Sequence, residues 1–280
     1  MIKILVDSSA DYSRDELQQK GLEFVPLRVM FGEKSFIEGI NLERSGFYEM
    51  LISTGEFPTT SQPSPQDFLT VFEKAKENGD EIICILLSSG LSGTCQSAAL
   101  AKSMAEYDKI HIIDSLTATH PIRVLTDYGL KLIEEGYSAE EIVTRLENLK
   151  SRVKVIASLD TLEYLRRGGR IGRAAALVGE LANLKPLITV GTDGKIDTLG
   201  KCLGKNKAIS QLLRHLQNHT IDENFPMYSV YTYGTENAEK FEQKLEAAGC
   251  QIQDRLQVGA TIGAHVGPGV FGVIYVTKEA

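Results

Sequence analysis

Cysteine is sparse in this 280-residue chain. Cys84, Cys95, Cys202 and Cys250 form no CxxC pair, and none has an adjacent histidine. That excludes an obvious zinc site and reads as buried free thiols. A basic excess is missing too: 30 Lys and Arg stand against 37 Asp and Glu, giving a formal charge of −7 and a pI near 5.4. A nucleic-acid partner would need a basic patch, so none is expected, although local basic clusters remain able to bind small anions. No apolar run approaches the length of a membrane span, and no signal peptide precedes the strand-like IKILV. The expectation is a cytoplasmic protein without stable membrane insertion. Nor is there a GxxxxGK(S/T) phosphate loop. GPGVFG at 267–272 has the glycine spacing of a dinucleotide fingerprint, but strand-like VIYV follows where a pyrophosphate needs a helix N-terminus. Too few residues follow for the acidic partner about 20 positions on.

With 42% apolar and 24% charged residues, the chain has the composition of a globular protein able to bury a sizeable core. IKILVDSSA, LEFVPLRVMF, EIICILLSS and KIHIIDS read as strands. Helical stretches alternate with them, at SRDELQQKG, ERSGFYEMLISTG, PQDFLTVFEKAKENG, GTCQSAALAKSMAEY and HPIRVLTDYGLKLIEEG. SAEEIVTRLENLKSRV is a further helix, with Ser138 and Glu141 spaced as a capping box. Alternation of this kind predicts a parallel sheet under helical cover, with function at the carboxyl ends of its strands. Those ends carry Asp7-Ser8-Ser9, Ser88-Ser89 and Asp114-Ser115, residues that also make ordinary turns.

After residue 155 the pattern changes. KPLITVGTDGKIDTLGK reads as a hairpin turning at Thr192-Asp193-Gly194, and TLEYLRRGGRIGRAAALVGELANL as a helix interrupted by Gly-Gly. The expected fold is two-domain α/β: a parallel-sheet domain over 1–155, then a second α/β domain over 156–280 with a mixed or antiparallel sheet. A cleft between such domains is a common ligand site.

Four stretches stand out. SSGLSGT (88–94) places Ser92 and Thr94 between a strand and a helix. It approaches a nucleophile elbow but has Thr94 where the second glycine belongs; hydroxyls and free amides there also suit an anion. TTSQPSP (59–65) is read as a loop in which Ser64-Pro65 starts the next helix. Thr59, Thr60 and Ser61 are left over as a second hydroxyl wall. RRGGRIGR (166–173) combines four arginines, suited to carboxylate or phosphate, with glycines that ask for a tight backbone. GAHVGPG sets His265 in a glycine-rich turn. Two functions stay open on these residues: a serine hydrolase or esterase using Ser92, with Asp114 and His265 as partners, and a soluble sensor of a small anionic metabolite at Arg166–Arg173.

DSSADYS (7–13), TTSQPSP, SSGLSGT, IIDS (112–115), LEYLRRGGRI (162–171) and GAHVGPGVFG (263–272), in this order, resemble the DegV family of bacterial fatty-acid-binding proteins. The resemblance spans almost the whole chain. It implies a monomeric, non-enzymatic lipid carrier that holds one long-chain fatty acid in a buried tunnel between its domains and needs no cofactor or metal. The carrier presents the acyl carboxylate to a separate fatty-acid kinase, whose acyl phosphate feeds phospholipid synthesis. By the same resemblance Thr60 and Ser92 bind the carboxylate, Arg170 and His265 lie beside it at the tunnel mouth, and Ser61, Thr94 and Ser115 support them. Leu203 departs from the pattern: family members often carry an arginine there, and only Lys201 and Lys205 are close in sequence.

Overall fold

A computed structural model describes residues 1–177 and 183–279. The first half runs β1 (Ile2–Asp7), α1 (Arg14–Lys20), β2 (Glu23–Val25), β3 (Arg28–Phe31), β4 (Lys34–Ile37), α2 (Arg44–Thr54), β5 (Thr59–Ser61), α3 (Pro65–Asn78), β6 (Glu81–Leu86), α4 (Thr94–Ala105), β7 (Ile110–Asp114), α5 (His120–Glu134) and α6 (Ala139–Lys150). The second half runs β8 (Val153–Ser158), α7 (Glu163–Arg167), β9 (Leu184–Val190), β10 (Ile196–Leu203), α8 (Lys205–Gln217), β11 (Tyr228–Tyr231), α9 (Glu236–Ala247), β12 (Asp254–Gln257), α10 (Ala260–Val266) and β13 (Phe271–Val276).

β2-β1-β6-β7 form a wholly parallel sheet. A separate six-stranded sheet, ordered β10-β9-β8-β13-β11-β12, is antiparallel except where β11 meets β12. The chain is therefore α/β, with one parallel and one mixed sheet, and it changes sheet between Lys150 and Val153. The apolar run of β6 is buried on both faces, as its continuous pattern requires. Phe68, Phe72, Ala98 and Ala101 of α3 and α4 cover one face of the parallel sheet. Between the two sheets lie α5 and α6, whose Leu125, Ile142 and Leu146 share a core with Ile4 and Ile83 on one side and Val230 and Ile274 on the other. Helix α5 is buried nearly all round through its first half, the condition of a helix with layers on two faces. Helices α8 and α9 cover the outer face of the six-stranded sheet through Leu212, Phe241 and Leu245.

The capping box at Ser138 and Glu141 is present, and Ser64 caps α3 with Pro65 in its first turn. Four readings of local structure need correction. LEFVPLRVMF is two strands in different sheets, because Pro26 has no N–H to continue a ladder. Thr59–Ser61 is not loop but β5; it pairs with β3, which also pairs with β4, in a three-stranded sheet that the sequence patterning missed. The long helix expected after Thr161 is only α7 and a 3₁₀ turn over Gly172–Leu177. Gly169 and Gly172 adopt φ of +70° and +51°, which ends the helix; the rest of that stretch, 178–182, lies outside the described residues. His265 sits in α10, with the glycine turn after it.

Candidate functional site

The strand ends of the parallel sheet are mostly stitched to one another. The Asp7 carboxylate accepts from the Leu87 N–H at 2.7 Å and from the Ser9 N–H and hydroxyl. The Ser8 hydroxyl accepts from the Leu27 N–H, Ser88 donates to the Gly194 carbonyl, and Ser89 donates to Asp114. At these positions the small polar residues tie neighbouring loops together, and only the Asp7–Ser9 bonds belong to a local turn.

One exception opens a cavity. A space of about 220 Å³ lies between two small apolar clusters, one containing Leu27, Leu87 and Ala118, the other Leu165, Ile196 and Val266. Leu91 and Ile262 touch both clusters and line the space. Its polar wall is Thr60, Ser61, Gln62, Ser92, Thr261, His265 and Arg170. Among the described residues no Asp or Glu lines it. Ser61, Ser92 and Arg170 are half-buried, Gln62 is exposed, and Leu27, Leu87 and Leu165 are almost wholly buried. Part of the polar wall, at Ser61, Gln62, Ser92 and Arg170, thus lies towards solvent, while Thr261 and His265 are buried with the apolar walls.

Each half of the chain brings one side. Strand β5 places Thr60 so that its Oγ1 lies 2.7 Å from His265 Nε2 of α10. The Ser92 hydroxyl lies 2.9 Å from that of Thr94, in the first turn of α4. Arg170 is held by two carbonyls: Nε donates to Leu91 at 3.0 Å and Nη1 to Gly168 at 2.7 Å. His265 Nδ1 has no hydrogen-bond partner among the described residues. Burial, reinforced by the Arg170 guanidinium, pulls the imidazole down to about 4, so it is neutral at pH 7. Gly168 explains the tight backbone of RRGGR, because a Cβ there would overlap the His265 ring.

Of the residues nominated from sequence, Thr60, Ser61, Ser92, Arg170 and His265 line the cavity. Thr94 stands one hydrogen bond behind Ser92. Ser115 does not reach the cavity; it is fully buried, and its hydroxyl donates to the Thr117 carbonyl within its own turn. Gln62, Thr261 and the apolar wall went unnominated. Gln62 belongs to TTSQPSP, whereas Thr261 has no local signal and enters only through the packing of α10.

The other two arrangements are not assembled. The Asp114 carboxylate accepts from Ser89 and from the Leu116 N–H, and Ser92 pairs with Thr94 instead of an imidazole. Arg166 and Arg167 pair with Glu163, and Arg173 pairs with Asp193 and Asp197. Within RRGGRIGR only Arg170 forms no ion pair among the described residues.

Residues 1–278 match the family described as "Uncharacterised protein, DegV family". The chain belongs to the DegV family. A DegV domain-containing protein of Caldanaerobacter subterraneus subsp. tengcongensis is 35% identical, over 99% of each chain. The fatty-acid-binding DegV family protein of Thermus thermophilus superposes with a TM-score of 0.89 at 31% identity, again over 99% of each chain. A stearic-acid-binding protein of Eubacterium ventriosum superposes at 0.86 with 29% identity and the same coverage. These DegV neighbours bind fatty acids. Among the described residues no helix is long and apolar enough to cross a membrane, and no group of His, Cys, Asp and Glu could hold a metal ion.

Proposed function

We propose that this DegV protein is a cytoplasmic, monomeric carrier of one long-chain fatty acid, held between two domains that divide near residue 155. The observation that carries the reading is the union, in one cavity lined by no acidic group among the described residues, of the Thr60–His265 pair, Ser92 with Thr94 behind it, and Arg170. A buried carboxylate must be paired or hydrogen-bonded. If His265 donates from Nε2 to Thr60, the Thr60 hydroxyl proton is turned towards the ligand; Thr94 donating to Ser92 does the same for that hydroxyl. Arg170, anchored by Leu91 and Gly168, supplies the compensating charge.

The acyl chain occupies the apolar walls. About 15 methylenes at roughly 0.8 kcal/mol each amount to about 12 kcal/mol before the costs of association. At about 220 Å³ the cavity is smaller than most ligand pockets. A long chain therefore displaces side chains at the seam of the two clusters, Leu91 and Ile262 first. No activated nucleophile is required, so the protein is a carrier and not an enzyme. Arg170 and His265 lie where a separate kinase would meet the carboxylate, and we assign acyl-phosphate formation, and with it phospholipid synthesis, to that partner.

The test is mass spectrometry of the purified protein, native and after solvent extraction. A stoichiometric long-chain fatty acid is expected. A ligand-free mass that persists after incubation with several fatty acids overturns the reading.

A further inference from the structure

The helix that carries His265 is held from outside the cavity. Helix α10 has seven residues and no side-chain cap of its own at Gly259. Its second residue, Thr261, donates its backbone N–H (3.0 Å) and its hydroxyl (2.5 Å) to the carboxylate of Glu38, which lies 223 positions earlier, just past β4. Glu38 is 6% exposed and Thr261 2%. Thr261 lines the cavity and Glu38 does not. One carboxylate of the first half therefore grips a wall residue one helical turn from His265.

The surroundings leave Glu38 little other purpose. It forms no ion pair among the described residues, so the α10 donors are what satisfy its buried carboxyl oxygens; an acidic side chain is also favoured at a helix start. The other charged and titratable groups of this region bond mainly elsewhere, with Asp11 Oδ1, His120 Nδ1 and Arg123 Nε left without a partner among the described residues and the Asp11 carboxyl facing Glu38 across Gly259. Asp11 accepts from the Thr119 hydroxyl at 2.5 Å and lies 3.7 Å from His120, whose Nε2 is 3.0 Å from the Gln257 carbonyl. Arg44 donates to the Asp11 carbonyl, as does Arg123, which also pairs with Glu16. Tyr48 donates to the Val258 carbonyl at 2.9 Å. Gly259 packs against both Asp11 and Glu38, leaving no room for a side chain.

We propose that Glu38 is a positioning residue for the carboxylate end of the cavity: by capping α10 at Thr261 it sets where His265 meets Thr60. The ligand part of this statement rests on the fatty-acid reading; the His265 part does not.

The experiment compares Glu38→Ala and Glu38→Gln with Asp222→Ala. The last breaks the Arg152–Asp222 pair before β11, away from the cavity lining. Two quantities are read on delipidated protein: the ¹⁵N NMR signals of the His265 imidazole without ligand, and the rate of stearate release. Glu38→Ala is expected to shift the His265 signals and to speed release tenfold or more. Glu38→Gln, which keeps an acceptor for the Thr261 N–H, falls between it and the parent. Asp222→Ala lowers Tm and moves neither quantity. The proposal is overturned if His265 is unmoved in the Glu38 variants, or moves as much in Asp222→Ala. Should Glu38→Ala fail to fold, Glu38→Gln decides alone. Should the parent hold no stearate, the fatty-acid reading fails, and the His265 signals still decide the role of Glu38.

Discussion

His265 Nε2 lies 2.7 Å from Thr60 Oγ1, across 205 residues of chain. The contact joins β5 of the first half to α10 of the second, and the cavity exists where it forms. Side chains from both halves must stay in place for either to serve the ligand.

Removing a hydroxyl from the polar wall should loosen the ligand without unfolding the protein. A hydrogen bond to a charged group contributes about 1.5–3 kcal/mol, a ten- to hundredfold change in affinity. Ser92→Ala and Thr60→Val are each expected to weaken fatty-acid binding within that range. Isothermal titration of delipidated protein, with circular dichroism as a check on the fold, measures it.

Ser92 should be chemically quiet. It meets Thr94 and no imidazole, so nothing draws off its proton. A fluorophosphonate probe is expected to leave it unlabelled in intact-mass measurements. Stoichiometric labelling at Ser92 would revive the hydrolase reading.

Gly168→Ala tests the close approach to His265. The glycine has φ of −73°, so the backbone accepts alanine and the damage is purely steric. Overpacking of this kind costs about 1–3 kcal/mol. Urea unfolding should show that loss, and ligand release should quicken with it; an unchanged midpoint and an unchanged release rate would contradict the packing.

His265 gives the site a pH dependence of known sign. Its folded value, near 4, is below the unfolded one. It therefore contributes stability that is full above about 6.5 and is lost as pH falls through 4. Asp7 and Asp11 act oppositely. Burial raises them to about 6 and about 7, so their contribution is full below about 4 and is lost as pH rises through those values. The His265 part is isolated by comparing parent and His265→Asn in urea at pH 7.5 and 5; the parent should lose more stability on acidification. A bound carboxylate favours the imidazolium, so ligand affinity should rise as pH falls from 7 towards 5, and His265→Asn should flatten that rise.

Ile262→Ala should enlarge the space for the acyl chain. Ile262 borders the cavity and touches three apolar clusters. Truncation is expected to lower stability by about 2 kcal/mol, the low end for such changes because the residue is only partly buried. In a competition among saturated acids of graded length, read by native mass spectrometry, the preference should move to longer chains. An unmoved preference would place the limit on length elsewhere in the wall.

Local chemistry made parts of the site legible. Hydroxyls ahead of Pro63 and Pro65, a serine between a strand and a helix, and arginines broken by glycines mark out 59–61, 88–94 and 166–173; the choice of Thr60, Ser92 and Arg170 within them rests on the DegV resemblance. The same resemblance implies a supporting role for Ser115, yet its hydroxyl closes its own turn. A small polar residue at a strand end looks the same in sequence whether it faces a ligand or a neighbouring backbone.

The sequence by itself determined the parallel sheet, most of the helices, the N-terminal caps of α3 and α6, and the hairpin at Asp193-Gly194. Each rests on periodicity or on the chemistry of a few adjacent residues. Tertiary structure decided what depends on distance along the chain: that Pro26 divides one apolar run between two sheets, that His265 rides on a helix facing Thr60, and that Glu38 holds that helix through Thr261. Contacts between residues more than 200 positions apart leave no periodic trace, because neither partner's neighbours carry any sign of the other. Only folding brings them within hydrogen-bond reach.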